Sequence, residues 1–324
     1  MKTFLFSILL LVLAGCSSSD DSGSGNTNEN RDYKQDMRDF VIGISQAAKA
    51  VNPNFAVIPQ NGIELVTTNG EHGGTPATAY LNAIDGNGQE DLFYGYDYDN
   101  RATPSATTSY LKSFLDISRN AGKKILVTDY CWSPDKVADS YMKNHALGYV
   151  SYAAEDRNLT TIPTTAPHNM NADVITSLAQ AKNHIFFINP ENYNSKQEFI
   201  NAVTATNYDV VIMDLFLNDI AFTAPEVAQL RSKANGGKRL VICYMSIGEA
   251  ENYRYYWQNS WNGNRPSWIA AENPDWPGNY KVKYWNNEWQ SLIFGNSNSY
   301  LTKITDAGFD GVYLDIIDAF EYFE

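Results

Sequence analysis

From residue 31 to residue 324, short β-branched or aromatic runs alternate with stretches of helical period, and this alternation leaves few architectures open. Runs at 55–59, 91–96, 124–131, 148–153, 184–189, 209–216, 239–246 and 311–316 predict eight strands. Helical stretches at about 36–50, 76–84, 105–121, 135–145, 171–182, 195–206, 224–235 and 297–307 fall around them. The strand runs are almost continuously apolar, as strands covered on both faces must be. Ser195 with Glu198 forms a capping-box pattern, and Gly122 and Gly236-Gly237 each stop a helix before the next strand. Eight such units without a dinucleotide glycine fingerprint predict an α/β fold, a (β/α)8 TIM-type barrel, with an open α/β sheet as the alternative. A helix comes first and a strand last, so the ring reads as opened at a shifted point.

The N-terminus reads as an address. Lys2 precedes an apolar run from Phe4 to Leu13, too short to span a bilayer. Leu13-Ala14-Gly15-Cys16 resembles a bacterial lipobox, which makes residues 1–15 a lipoprotein signal peptide and Cys16 the lipidated residue. Residues 16–30 carry no apolar side chain beyond Cys16 and predict a flexible tether, followed by a single catalytic domain over 31–324. The expected location is the bacterial cell envelope, periplasmic or cell-surface, with the membrane reached through the lipid anchor alone.

Several chemistries are excluded. A net charge of −13 lacks the clustered Lys and Arg that nucleic acid requires. Three scattered cysteines give no disulfide framework and no CxxC. Cys131 and Cys243 sit within strand patterns as small apolar residues. GxxxxGK[ST], GxSxG and HExxH are absent, and His72, His145, His168 and His184 have no ligand spacing. No metal and no cofactor are expected. Gly86-Asn87-Gly88 follows no predicted strand and reads as a turn.

Carboxylates at strand ends remain: Glu64, Asp97, Asp129, Glu155, Asp214, Glu249, and Asp315 with Asp318. A barrel places such groups around one mouth, and two carboxylates facing each other are the equipment for glycoside hydrolysis. Taken singly, any of them can equally be a buried anchor. Six tryptophans, Trp257, Trp261, Trp268, Trp276, Trp285 and Trp289, lie between the seventh strand and the last helix. Most should pack under a long loop, leaving one or two as platforms for sugar rings.

The blocks Cys243-Tyr244-Met245-Ser246-Ile247-Gly248-Glu249-Ala250-Glu251, Asn273-Pro274-Asp275-Trp276 and Gly308-Phe309-Asp310-Gly311-Val312-Tyr313-Leu314-Asp315-Ile316-Ile317-Asp318 carry a family resemblance. Met37-Arg38-Asp39-Phe40 and Ile58-Pro59-Gln60-Asn61-Gly62-Ile63-Glu64-Leu65 add to it. The chain resembles glycoside hydrolase family 114, the endo-α-1,4-polygalactosaminidases and their bacterial relatives. Some relatives once bore a cysteinyl-tRNA synthetase label, which the absence of HIGH and KMSKS excludes here. In the family the blocks around Glu249 and Asp315 come first and those around Asp39 and Glu64 follow. Here that order is reversed, which implies a circular permutation.

The resemblance implies a retaining mechanism, with Asp315 as nucleophile and Glu64 as acid/base. It departs from the fungal members at Tyr313-Leu314-Asp315-Ile316, which alters the groups flanking the nucleophile. Glu249, Asp214, Arg254, Tyr244, Tyr313, Asp318, Gln60 and Asn61 are the expected substrate contacts. The expected partner is a polysaccharide of amino sugars, acted on by a monomer. A silent glycan-binding lipoprotein and a hydrolase of another glycan are the alternatives.

Overall fold

A computed structural model describes residues 31–190 and 192–324. The expected signal peptide, Cys16 and tether at 1–30 lie outside the described residues.

Eight parallel strands organise the chain: β1 (Ala56–Pro59), β2 (Gly86–Glu90), β3 (Lys124–Tyr130), β4 (Val150–Ala154), β5 (His184–Phe186), β6 (Val210–Met213), β7 (Leu240–Ser246) and β8 (Gly311–Asp315). One sheet runs β5-β6-β7-β8-β1 and another β2-β3-β4. A parallel bridge between Gln60 and Gly88 joins β1 to β2. The fold is therefore mixed α/β with parallel sheets. The strand backbones are buried between apolar side chains, which explains their Val- and Ile-rich sequences.

Side chains alternate faces along a strand, so register decides which residues meet. Tyr313 pairs with Tyr244 and with Ile58, and Asp315 pairs with Ser246. Across the second sheet Glu90 pairs with Thr128. Tyr313 reaches Gly88, and Thr128 Oγ1 lies 3.4 Å from His184 Nε2, so both sheets share one inward face. Val57, Val312 and Cys243 point the other way, beneath the helices.

The long helix α1 (Tyr33–Val51) buries Met37, Phe40, Val41, Ile44 and Ala48, an apolar stripe at three- and four-residue spacing. Asp36 in its first turn and Lys49 in its last complement the helix dipole. The helices α2 (Thr78–Ala83), α3 (Ser105–Asn120), α4 (Pro134–Ala146), α5 (Lys196–Thr204), α6 (Ala224–Leu230), α7 (Asn287–Ile293), α8 (Tyr300–Asp306) and α9 (Phe320–Phe323) complete the set. Tyr33 stacks on Phe323 at 5.8 Å, and Lys34 Nζ lies 2.5 Å from Glu324 Oε1. The helix that opens the described unit thus touches its last residue, and β1 lies against β8. None of the described helices is long and apolar enough to cross a membrane.

Two segments depart from the sequence reading. The aromatic run 91–96 is a loop, and the polar Gly86–Glu90 is the strand. Asp91 takes φ +57° and turns the chain, after which Asp129 Oδ1 accepts from the Phe93 and Tyr94 amides and holds the run outside the ladder. Gly86-Asn87-Gly88 is accordingly no turn. Its glycines admit neighbours: a Cβ on Gly88 would collide with Tyr313 Oη, and one on Gly86 would crowd the Lys124 carbonyl. The predicted helix at 171–182 is reduced to the single turn Leu178–Gln180. Asn171 Oδ1 accepts from the Asp173 amide and Gln180 Oε1 from those of Thr176 and Ser177, offering the backbone an alternative to a helix.

Between β7 and α7, a three-stranded antiparallel ribbon (Glu249–Glu251, Asn279–Val282, Ile269–Glu272) covers an extension of the main hydrophobic core, not the separate loop core the sequence predicts. Trp261, Trp268 and Trp289 are buried there in edge and tilted contacts about 5 Å apart, whereas Trp276 is exposed.

Because Tyr313 needs the space at Gly88, Gly88→Ala should destabilise the protein by about 1–3 kcal/mol. Gly263, with open space around it, should tolerate alanine within about 0.5 kcal/mol. Urea unfolding checks both: a lowered midpoint at unchanged slope for Gly88→Ala alone.

Candidate active site

The ends of β8, β1 and β2 meet above Tyr313. Asp315 closes β8, and the next residue, Ile316, has φ +57° and ψ +41°. A β-branched side chain is strained in that region. The turn it makes aims the Ile316 amide at the Asp315 carboxylate. Tyr244, which pairs with Tyr313 two residues before the end of β7, donates its hydroxyl to Asp315 Oδ2 at 2.6 Å. The tight turn after β1 uses Asn61 (φ +58°) and Gly62 (φ +48°), and a Cβ on Gly62 would press on Ile317 and the Asp318 amide.

Five carboxylates gather here: Glu64, Glu90, Asp315, Asp318 and Glu321. Loss of water pushes Asp315 up to about 7, and the charge of Glu90, then that of Asp318, adds to the rise. The Tyr244 and Ile316 hydrogen bonds oppose it. Asp318 is raised to about 6 by desolvation, with Glu90 and Glu64 adding and Lys281 opposing. Glu321 is raised to about 7 by desolvation, then by Asp318 and Glu64.

Glu90 has no counterpart in the sequence reading, where Gly86-Asn87-Gly88 predicts a turn and no strand leads up to it. Both its oxygens are held: Tyr130 donates its hydroxyl to Oε1, and Asn61 Nδ2 donates to Oε2 at 3.0 Å. Arg157 lies 3.8 Å over the Tyr130 ring, and its guanidinium is occupied by Asp91, Asp99 and the Gly95 carbonyl. The available signal was polarity. Gln89 and Glu90 end a short run between two glycines and a turn-forming Asp91.

The expected residues fall into groups. Asp315, Tyr244, Asp318 and Asn61 lie together. Glu64 stands on the turn Ile63–Val66, where Tyr110 donates to its Oε1 at 2.9 Å, and its charge acts on Asp318 and Glu321. Tyr313 and Gln60, expected as substrate contacts, are instead shut off from solvent in the layer beneath. Asp214 and Arg254 are bound to each other by two bonds of 2.8 and 2.6 Å, and Arg254 Nε meets Glu251 at 2.5 Å. The Arg254 charge is thereby neutralised within the protein, and Tyr253, bonded to Glu251, is the exposed member of the cluster. Glu249 is buried against Asn273 at 2.8 Å.

Asp129 is a fully buried anchor, satisfied by two amides, Ser140 and Asn144. Asp97 and Glu155 lie exposed in loops. Tyr110 on α3 and Tyr96 after β2, both exposed, lie near Glu64, and Tyr98 after β2, Trp132 after β3 and Tyr322 after β8 are exposed on segments that follow strand ends. Among the described residues no group of His, Cys, Asp or Glu could hold a metal ion.

Residues 164–324 match glycoside-hydrolase family GH114. That part of the chain belongs to glycoside hydrolase family 114. The matched segment contains β5 to β8, and so Tyr244, Glu249 and Asp315. The chain is also similar to three uncharacterized proteins. One from Methanocaldococcus jannaschii is 38% identical over 47% of this chain and 42% of its own. One from Deinococcus radiodurans is 41% identical over 39% and 38%, and one from Thermotoga maritima 54% over 25% and 24%. The chain thus spans less than half the length of each of these relatives.

An Asp315 carboxyl near 7 should give kcat/KM an acidic limb in that region, with activity rising as the carboxylate forms. Tyr244→Phe removes a bond that favours the anion and should move the limb up by about one pH unit. Glu90→Gln removes a repelling charge and should move it down. A limb indifferent to both changes would assign it to another group.

Proposed function

We propose that the protein is a retaining glycoside hydrolase of an amino-sugar polysaccharide, α-1,4-galactosaminidase-like in specificity. The observation that carries this reading is Asp315: a desolvated strand-end carboxylate, fixed by Tyr244 and a strained backbone turn, amid carboxylates and exposed aromatics on a chain whose second half belongs to a glycosidase family. Asp315 attacks the anomeric carbon and Glu64 gives its proton to the departing oxygen. The resulting glycosyl ester is cleaved by a water that Glu64 deprotonates. Tyr244 holds the Asp315 oxygen that does not attack. The rings of Tyr96, Tyr98 and Trp132 offer flat faces to the apolar side of sugars further along the chain.

The scaffold of this reading is a (β/α)8 barrel, circularly permuted. Seven of its eight strand junctions are hydrogen-bonded, and β4 and β5 stand side by side through Tyr152 and His184, whose rings are 6.0 Å apart. Its opening between β8 and α1 agrees with the Lys34–Glu324 contact. A lipid on Cys16 would then hold the barrel at the cell envelope. A net charge of −13 favours a cationic, partly deacetylated polymer.

The test is a polysaccharide panel with product analysis. Asp315→Asn should fold normally and lose at least about a hundredfold in turnover. Glu64→Gln should slow substrates with poor leaving groups more than activated ones. Turnover on deacetylated polymer should fall as the Debye length shrinks from about 30 Å at 0.01 M salt to about 8 Å at 0.15 M. Binding without cleavage, equal in wild type and Asp315→Asn, would make the protein a glycan-binding module instead.

A further inference from the structure

The opposite end of the strands holds a buried lysine that the hydrolase reading leaves unused. Asp209 immediately precedes β6, whereas Asp315 closes β8, and the two strands run parallel through β7. Lys233 Nζ donates to Asp209 Oδ1 at 2.6 Å, and both side chains are fully shut off from solvent. Lys233 Nζ also meets Asn171, 3.3 Å from Oδ1 and 3.2 Å from the backbone carbonyl oxygen. Asn171 Nδ2 donates in turn to the second oxygen of the same carboxylate, Asp209 Oδ2, at 3.0 Å. One carboxylate therefore bridges an amine and a primary amide that already touch each other.

Each member is held in place. Asp209 Oδ2 also accepts from the Lys182 amide at 2.8 Å, and the Asp209 amide donates to Asn183 Oδ1 at 2.7 Å. Asn171 Nδ2 also donates to the Asn169 carbonyl at 3.1 Å, and the Asn171 carbonyl accepts from Asn235 Nδ2 at 2.8 Å. The Asp173 amide donates to Asn171 Oδ1 at 3.0 Å, where a tetrahedral centre at Cγ would place its negative charge. Two charges kept out of water are costly, and passing one proton from Lys233 to Asp209 removes both together. The neutral amine is a nucleophile, and Asn171 Cγ is bonded to the oxygen it touches.

We propose that Lys233 and Asn171 join in an intramolecular isopeptide bond, with Asp209 as the proton relay. Lys233 Nζ gives one proton to Asp209, and the electron pair so released attacks Asn171 Cγ. The charge that moves onto Oδ1 is met by the Asp173 amide. A second proton from Nζ and the one held by Asp209 pass to Nδ2. The Cγ–Nδ2 bond then breaks with its electrons on nitrogen, the carbonyl re-forms, and ammonium departs. The products are one secondary amide and a carboxylate restored at Asp209, with no oxidant, water or further reactant consumed. The bond ties the segment between β4 and β5 to the connection from α6 to β7, and it stands apart from the hydrolase reading.

The experiment is a tryptic digest of the purified, denatured full chain, read by mass spectrometry. Residues 158–182 and 232–238 should emerge as one branched peptide, uncut after Lys233 and lighter than the two pieces together by one ammonia. Fragmentation should place the branch at Asn171 and Lys233. Asp209→Asn keeps the shape but cannot take the proton, and should return the two segments unjoined with trypsin cutting after Lys233. Unjoined segments in the wild type overturn the proposal and leave the three residues as a hydrogen-bonded anchor. A missing ammonia that maps to a succinimide at Asn235-Gly236 overturns it as well. Linking as complete in Asp209→Asn as in the wild type overturns the relay. If that variant does not fold, as judged by thermal unfolding, the wild-type digest decides alone.

Discussion

Tyr313 sets its hydroxyl against a position that only glycine can fill, and the heights of β8 and β2 follow from that contact. A larger residue at 88 would displace the ring, and with it the strand carrying Asp315. The contact also explains a strand of unusual composition. Gly86–Glu90 has poor β propensity by any scale, yet it is held between β3 and the Gln60 bridge because its neighbours require a thin strand there. Local preference is overruled by packing at this one place, and the carboxylate at the end of the strand faces the site as a result.

Crowding carboxylates opposes folding above their ordinary titration range. Asp315, Asp318 and Glu321 all have raised values, so their neutral forms suit the folded state. The stability they contribute is present at low pH, below about 4, and is lost as pH rises through about 6–7. Compensation comes from the surroundings. Asp129 ties the loop after β2 to α4, Arg157 joins Asp91 to Asp99, and Arg254 joins Asp214 to Glu251. These hydrogen bonds and ion pairs tie the loops down where the strand ends need a fixed frame, and buried charges of this type are worth more in position than in net energy.

Periodicity made seven of the eight strands and the long helix legible, because apolar runs and a three-to-four spacing are direct consequences of burial. It failed where a different force decided. The run 91–96 has the composition of a strand, but a single buried acceptor, Asp129, captures its amides. The segment 171–182 has helical spacing, but Asn171 and Gln180 satisfy its backbone locally. Within the site, Asp315 could be read because it ends an apolar run, and Tyr244 because it lies in a block that carries the family resemblance. Glu90 could not, since nothing in a polar stretch beside two glycines reveals a cross-sheet contact with Tyr313. The sequence leaves Arg254 open to ligand, because its ion pair with Asp214, forty residues distant, has no local mark.

The meeting of α1 with the last residues follows from the same packing. An ion pair as exposed as that of Lys34 with Glu324 contributes little by itself. The rings do more: Tyr33 packs on Phe323 and Trp285, Trp285 on Phe323 at 4.8 Å, and Tyr284 donates to the Tyr33 carbonyl at 2.8 Å. This cluster draws on the first helix, the last helix and the insertion after β7, three segments remote in sequence. The ladder between β1 and β8 is intact across the point where no peptide links them. A parallel pair needs only its register and its covering helix, whatever the order in which the chain visits its members. Asp315 therefore has neighbours from β7 and β1, although β1 is the first and β8 the last of the eight parallel strands in the described residues.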